Sequence, residues 1–138
     1  MRPRGLVRWP PWAVLAAAAL VVHFYGLYRP DAPPPSPWLP LSDKLKHAVG
    51  FALPLLLILL TLAVRARSRT RRLAAAPVWV AAGLFLVHAV VSEVIQGVAY
   101  PSRTGDPLDV LADAVGVMLG VGSLQLLSRD MLLSRAPA

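Results

Sequence analysis

Four long apolar stretches constrain this chain more than any other feature. They fall at residues 11–28, 47–64, 77–100 and 108–127. A helix needs about 20 mostly apolar residues to cross the hydrocarbon core of a bilayer. In lipid every backbone amide must be paired within the chain, so stretches of this length are expected as helices. The expected fold is an all-α integral membrane four-helix bundle, with residues 1–138 forming a single membrane domain. Only 15% of the residues are charged, against about 25% in soluble domains, which argues against a water-soluble enzyme. The absence of cysteine excludes disulfide frameworks, thiolate metal sites and cysteine nucleophiles.

The basic residues set the topology. Arg2, Arg4 and Arg8 precede the first span, and Arg65, Arg67, Arg69, Arg71 and Arg72 join the second to the third. Arg129 and Arg135 follow the fourth, so ten of the 14 Lys and Arg residues lie on one side. Arg29, Lys44, Lys46 and Arg103 lie on the other. Positive charge marks the cytoplasmic face, so both termini are expected in the cytoplasm of a multi-pass protein. The same charge also attracts anionic lipid headgroups. The first span follows three arginines but ends in HFYGLY without a small-x-small cleavage pattern, and reads as a retained anchor rather than a signal peptide. Trp9, Trp12 and Trp79 sit at cytoplasmic span ends, with Tyr25, Tyr28, Trp38 and Tyr100 towards the outer side, as interfacial rings distribute. Topology accounts for the arginines, no reading motif accompanies them, and nucleic acid is not an expected partner. The lipid bilayer is.

Residues 29–42 form a Pro-rich outer linker, and residues 101–107, PSRTGDP, an outer turn. Pro54 should kink the second span, and Ser42 or Asp43 is expected to cap its start. Ala112, Gly116 and Gly120, spaced at four, read as a packing stripe inside the bundle or as a homodimer seam through Gly116 and Gly120.

The acidic residues are distributed unevenly. Asp31, Asp43, Glu93, Asp106, Asp109 and Asp113 belong to the outer side or outer half of the spans, and Asp130 alone to the other. Ionisable groups within a span are costly to insert and mark functional sites. Asp43 and His47 are four residues apart and share a helix face. Asp106, Asp109 and Asp113 form one stripe, with Asp113 about 9 Å below the start of its helix. Glu93 lies roughly 10 Å below Tyr100, and His88 deeper. If the helices bundle with these faces inward, Asp43, His47, Glu93, Gln96, Arg103, Asp109 and Asp113 converge, and Lys44 and Arg103 offset part of the charge.

These residues resemble a known family. Asp43-Lys44-x-x-His47 opens one span, and Glu93-x-x-Gln96 lies in the next. Arg103 and Gly105-Asp106-x-x-Asp109 then lead into a Gly-rich helix. The order and spacing are similar to the VanZ-like family of small bacterial membrane proteins, over about residues 40–122. The resemblance implies a bacterial inner-membrane protein, and the family's founding member is associated with low-level resistance to the glycopeptide teicoplanin. Four residues after the last motif Asp, where the family usually carries Asn, this chain has Asp113.

Three functional readings follow. As a membrane module, the chain would recognise an envelope component or drug, or support a partner protein, with Asp43, Lys44, Gln96, Arg103, Asp106 and Asp113 as binding residues. As an enzyme, Glu93 and Asp109 would form an acid–base pair, with His47 as a second proton carrier and Arg103 holding an anionic group. Its substrate would be an envelope precursor or lipid-linked molecule reached from the outer leaflet. As a transporter, the buried acids and His88 would relay protons. His47, Glu93, Asp109 and Asp113 are acceptable nitrogen and oxygen ligands. Without a compact ligand motif, neither a bound metal nor a cofactor is expected.

Overall fold

The computed structural model describes residues 11–31, 41–69 and 73–133, with side chains described to residue 127. Expectations about Arg2, Arg4, Arg8, Trp9, Trp38, Arg71, Arg72, Arg135 and most of the Pro-rich linker lie outside the described residues, as do the side chains of Arg129 and Asp130.

Among the described residues there are four helices and no strand. They are α1 (Pro11–Tyr28), α2 (Ser42–Ser68), α3 (Ala75–Ala99) and α4 (Pro107–Leu133). Each is long and apolar enough to cross a membrane. The first matches its expected span, whereas α2 and α4 overrun theirs at both ends. Apolar content locates the segment that suits lipid. Backbone pairing carries the helix on into polar sequence such as Ser42-Asp43-Lys44 and Arg65-Ala66-Arg67.

Large apolar side chains stay exposed on every helix, including Val22, Leu53, Leu84, Val98 and Met118. A water-soluble bundle would bury such faces; in a bilayer lipid covers them. The inward faces are narrower. Ala82, Ala89, Glu93 and Gln96 line the one on α3, and Asp109, Asp113, Val117, Val121 and Leu124 the one on α4. Helices α1 and α3 run one way and α2 and α4 the other. Leu27 near the end of α1 therefore meets Gln96 near the end of α3, while Lys44 and Asp109 meet at the starts of α2 and α4.

The most extensive packing joins α2 to α4. Phe51, Leu55 and Leu59 of α2 meet Val117, Val121 and Leu124 of α4 in one apolar core. Gly116 and Gly120 let the backbones approach. A Cβ at Gly116 would collide with the Ala48 carbonyl, and one at Gly120 would lie 3.0 Å from the Ala52 carbonyl oxygen. Between the two readings of this stripe, the geometry is that of packing inside the bundle.

One expectation about α2 is modified. The capping position belongs to Leu41, with φ 64°, and no side chain caps the helix. Ser42 is buried and Asp43 lies in the first turn, where its charge suits the helix dipole. Pro54 is buried within a helix that continues to Ser68. Proline has no N–H for the carbonyl four residues earlier, that of Gly50. The ring of His23, buried on α1, lies against this turn, its Nδ1 3.8 Å from where a Cβ at Gly50 would stand. His23 also packs edge-on to Phe51, with ring centroids 4.6 Å apart.

Candidate functional site

The site forms where the starts of α2 and α4 meet the end of α3. Asp106-Pro107 fixes how α4 begins. Proline suits the first helical position, and the Asp106 carboxylate accepts a bond from the Leu108 N–H at 2.9 Å, as an N-cap residue does. Glu93 on α3 holds the same turn, its Oε2 accepting from the Asp106 N–H at 3.0 Å. Gly105 makes this approach feasible, since a Cβ there would lie 2.8 Å from the Glu93 carbonyl oxygen. The glycine and acid of the Gly105-Asp106 motif therefore place α4 against α3.

His47 is the centre of the cluster. Its Nδ1 lies 2.9 Å from Asp113 Oδ1 and 3.9 Å from Glu93 Oε1. Its Nε2 lies 3.8 Å from Asp109 Oδ2. All four side chains are buried, Asp113 completely. Nearer the surface, Lys44 bridges Asp106 and Asp109, and exposed Asp43 comes close to His47 and Asp109. The Lys44 ammonium holds the Asp106 carboxyl below its usual pKa.

The charges do not balance. Lys44 and a protonated His47 supply two positive charges, against five carboxylates at Asp43, Glu93, Asp106, Asp109 and Asp113. Glu93 Oε1 and Asp113 Oδ2 are buried without a hydrogen-bond partner. Burying an unpaired charge is expensive, so a proton or another cation must make up the difference. Chemically, such a site can exchange protons, hold a cation, or orient an amine or hydroxyl.

Seven of the nine residues singled out from sequence come together here: Asp43, Lys44, His47, Glu93, Asp106, Asp109 and Asp113. The other two point elsewhere. Arg103 donates to the Leu27 carbonyl at 2.6 Å, and Gln96 donates to the same oxygen at 3.2 Å. The last carbonyls of a helix lack intrahelical partners, and these two donors satisfy one at the end of α1. Tyr100 does the same for the Tyr28 carbonyl at 2.9 Å. Ser92 bonds the Ala89 carbonyl on its own helix. His88 packs among Phe24, Tyr28 and Phe51, with Nδ1 3.4 Å from the Tyr28 hydroxyl. Sequence reasoning left His23 without a role; it packs edge-on to Phe51 and His88.

Comparison with protein-family models, curated proteins and solved structures returns no match. The class of protein therefore rests on fold and site together: a multi-pass membrane protein whose described residues form four apolar helices with a buried histidine–carboxylate cluster at one end.

Proposed function

We propose that the chain is a VanZ-like protein of the bacterial inner membrane, with both termini in the cytoplasm and the histidine–carboxylate cluster at the outer face. There it engages a cell-envelope component and contributes to the response to glycopeptides such as teicoplanin. The observation that carries this reading is the convergence of His47, Glu93, Asp109 and Asp113 at one end of the bundle. Buried ionisable groups of this kind cost insertion energy and weaken folding, so a function has to retain them. The arginine distribution supports the orientation.

The test is made in cells. Expression should raise the teicoplanin concentration that inhibits growth, and Glu93→Gln and His47→Ala should abolish the rise at unchanged protein level. Equal protection by the variants would overturn the role of the cluster, and no protection by the wild type would overturn the glycopeptide reading.

A second reading is favoured by the burial of Glu93 and Asp109 on either side of His47. A proton carrier between two carboxylates suits acid–base catalysis on a lipid-linked or envelope substrate. Incubating the purified protein with polyprenyl-phosphate-linked substrates distinguishes the two. Turnover lost in Glu93→Gln supports an enzyme, and saturable binding without product supports a recognition module.

A further inference from the structure

The buried part of the cluster has the composition and spacing of a metal site. One donor atom each from His47, Glu93 and Asp113 lies within 4.8 Å of the others. Donors held about 2.1 Å from a tetrahedrally bound ion lie roughly 3.4 Å apart, so closing the triad takes side-chain movements of about an ångström. His47 Nδ1 lies 3.9 Å from Glu93 Oε1 and is hydrogen-bonded at 2.9 Å to Asp113 Oδ1, which brings the Asp113 carboxylate to the same nitrogen.

A second observation points to a ligand rather than a closed network. Glu93 Oε1 and Asp113 Oδ2 are buried and unpartnered, on residues 5% and 0% exposed. Each carboxylate's other oxygen is already occupied, by the Asp106 N–H and by His47 respectively. The free oxygens therefore have capacity for one more partner in a region closed to bulk water. Two carboxylates and a neutral imidazole carry a charge of minus two, which a divalent ion balances.

We infer that His47 Nδ1 and one oxygen each of Glu93 and Asp113 bind a single divalent first-row metal ion of the Zn2+ or Mn2+ class. One imidazole with carboxylate oxygens and no sulfur suits these borderline-to-hard ions, not soft Cu(I). Asp109 completes the arrangement from the other side of the ring. Coordination through Nδ1 puts the ring proton on Nε2, which faces Asp109 Oδ2 at 3.8 Å. Histidine ligands are commonly steadied by such a carboxylate. The proton that Nδ1 shares with Asp113 leaves to solvent as the ion binds. The inference concerns the same site as the proposed function but not its envelope role, because ion binding is read on purified protein and drug protection in cells.

The full chain is purified in detergent, stripped with a chelator, and titrated with Zn2+ and separately with Mn2+. One ion per chain and a raised thermal midpoint are expected for at least one of them. Glu93→Gln and Asp113→Asn should weaken binding by more than the 10–100-fold expected for Asp109→Asn. Asp31→Asn, at an exposed carboxylate beyond α1, should leave binding unchanged. X-ray absorption of the wild-type Zn2+ complex reads the ligands without any variant, and one imidazole nitrogen in an otherwise oxygen shell is expected. No saturable ion, or a shell with two imidazoles or none, would overturn the assignment. So would binding lost in Asp43→Asn and kept in Glu93→Gln, which would move the ion to Asp43, His47 and Asp109.

Discussion

The seam between α2 and α4 has two halves built on opposite principles. In the deeper half, Phe51, Leu55 and Leu59 meet Gly116, Val117, Gly120 and Val121, and association comes from close backbone approach. In the half nearer the helix starts, the same two helices meet through Lys44, His47, Asp109 and Asp113. Lipid tails are as apolar as leucine, so packing rather than the hydrophobic effect holds membrane helices together. The glycine half supplies that packing, whereas the ionic half must first offset its own desolvation. The difference teaches that close packing is concentrated in one half, and on the proposed reading the other half is retained for what it does.

The largest effect should come from breaking the deep half. Gly116→Ala puts a Cβ into the Ala48 carbonyl, backbone that can yield only if the helices separate. A loss of roughly 1–3 kcal/mol or more is expected, as for other overpacked sites, read as a lower thermal midpoint in detergent. A smaller loss tests the joint between α1 and α3. Tyr100→Phe keeps the ring but removes the donor to the Tyr28 carbonyl. About 0.6 kcal/mol is expected, the average measured for hydrogen bonds between membrane helices. Unchanged stability would mean that the Tyr28 carbonyl finds another partner.

The smallest effect belongs to the surface edge of the ionic half. Asp106→Asn retains a capping oxygen but loses the charge that pairs with Lys44. Because Lys44 depresses the Asp106 pKa in the folded state, the pair's contribution is present above the unfolded-state value of about 4. It is lost as pH falls through the folded-state value. Wild type and Asp106→Asn should therefore differ slightly at pH 7 and converge in acid. A gap that widens on acidification would contradict the pairing.

The two halves were unequally legible in sequence. Four apolar stretches fixed the helices because lipid leaves the backbone no alternative. The carboxylate stripe converged on His47 because burying charge towards the bundle costs less than exposing it to lipid. The partners of Arg103 and Gln96 were not legible. Charge paired Arg103 with the carboxylates and the polar face placed Gln96 beside them, but both donate to the Leu27 carbonyl, a demand set by where α1 ends in space. The start of α2 was missed for a similar reason. Ser42 and Asp43 look like caps, yet the turn at Leu41 carries the chain into the helix one residue earlier.

The most direct test of the division between the halves is the thermal midpoint of Glu93→Gln against wild type, both free of metal and in detergent. Glutamine retains an oxygen for the Asp106 N–H and removes one of the carboxylates crowded around His47. The predicted result is a midpoint equal to or above that of wild type, because residues kept for function tend to cost stability. A fall of many degrees would make Glu93 a structural partner of His47 and would contradict the claim that this end of the bundle is kept for function.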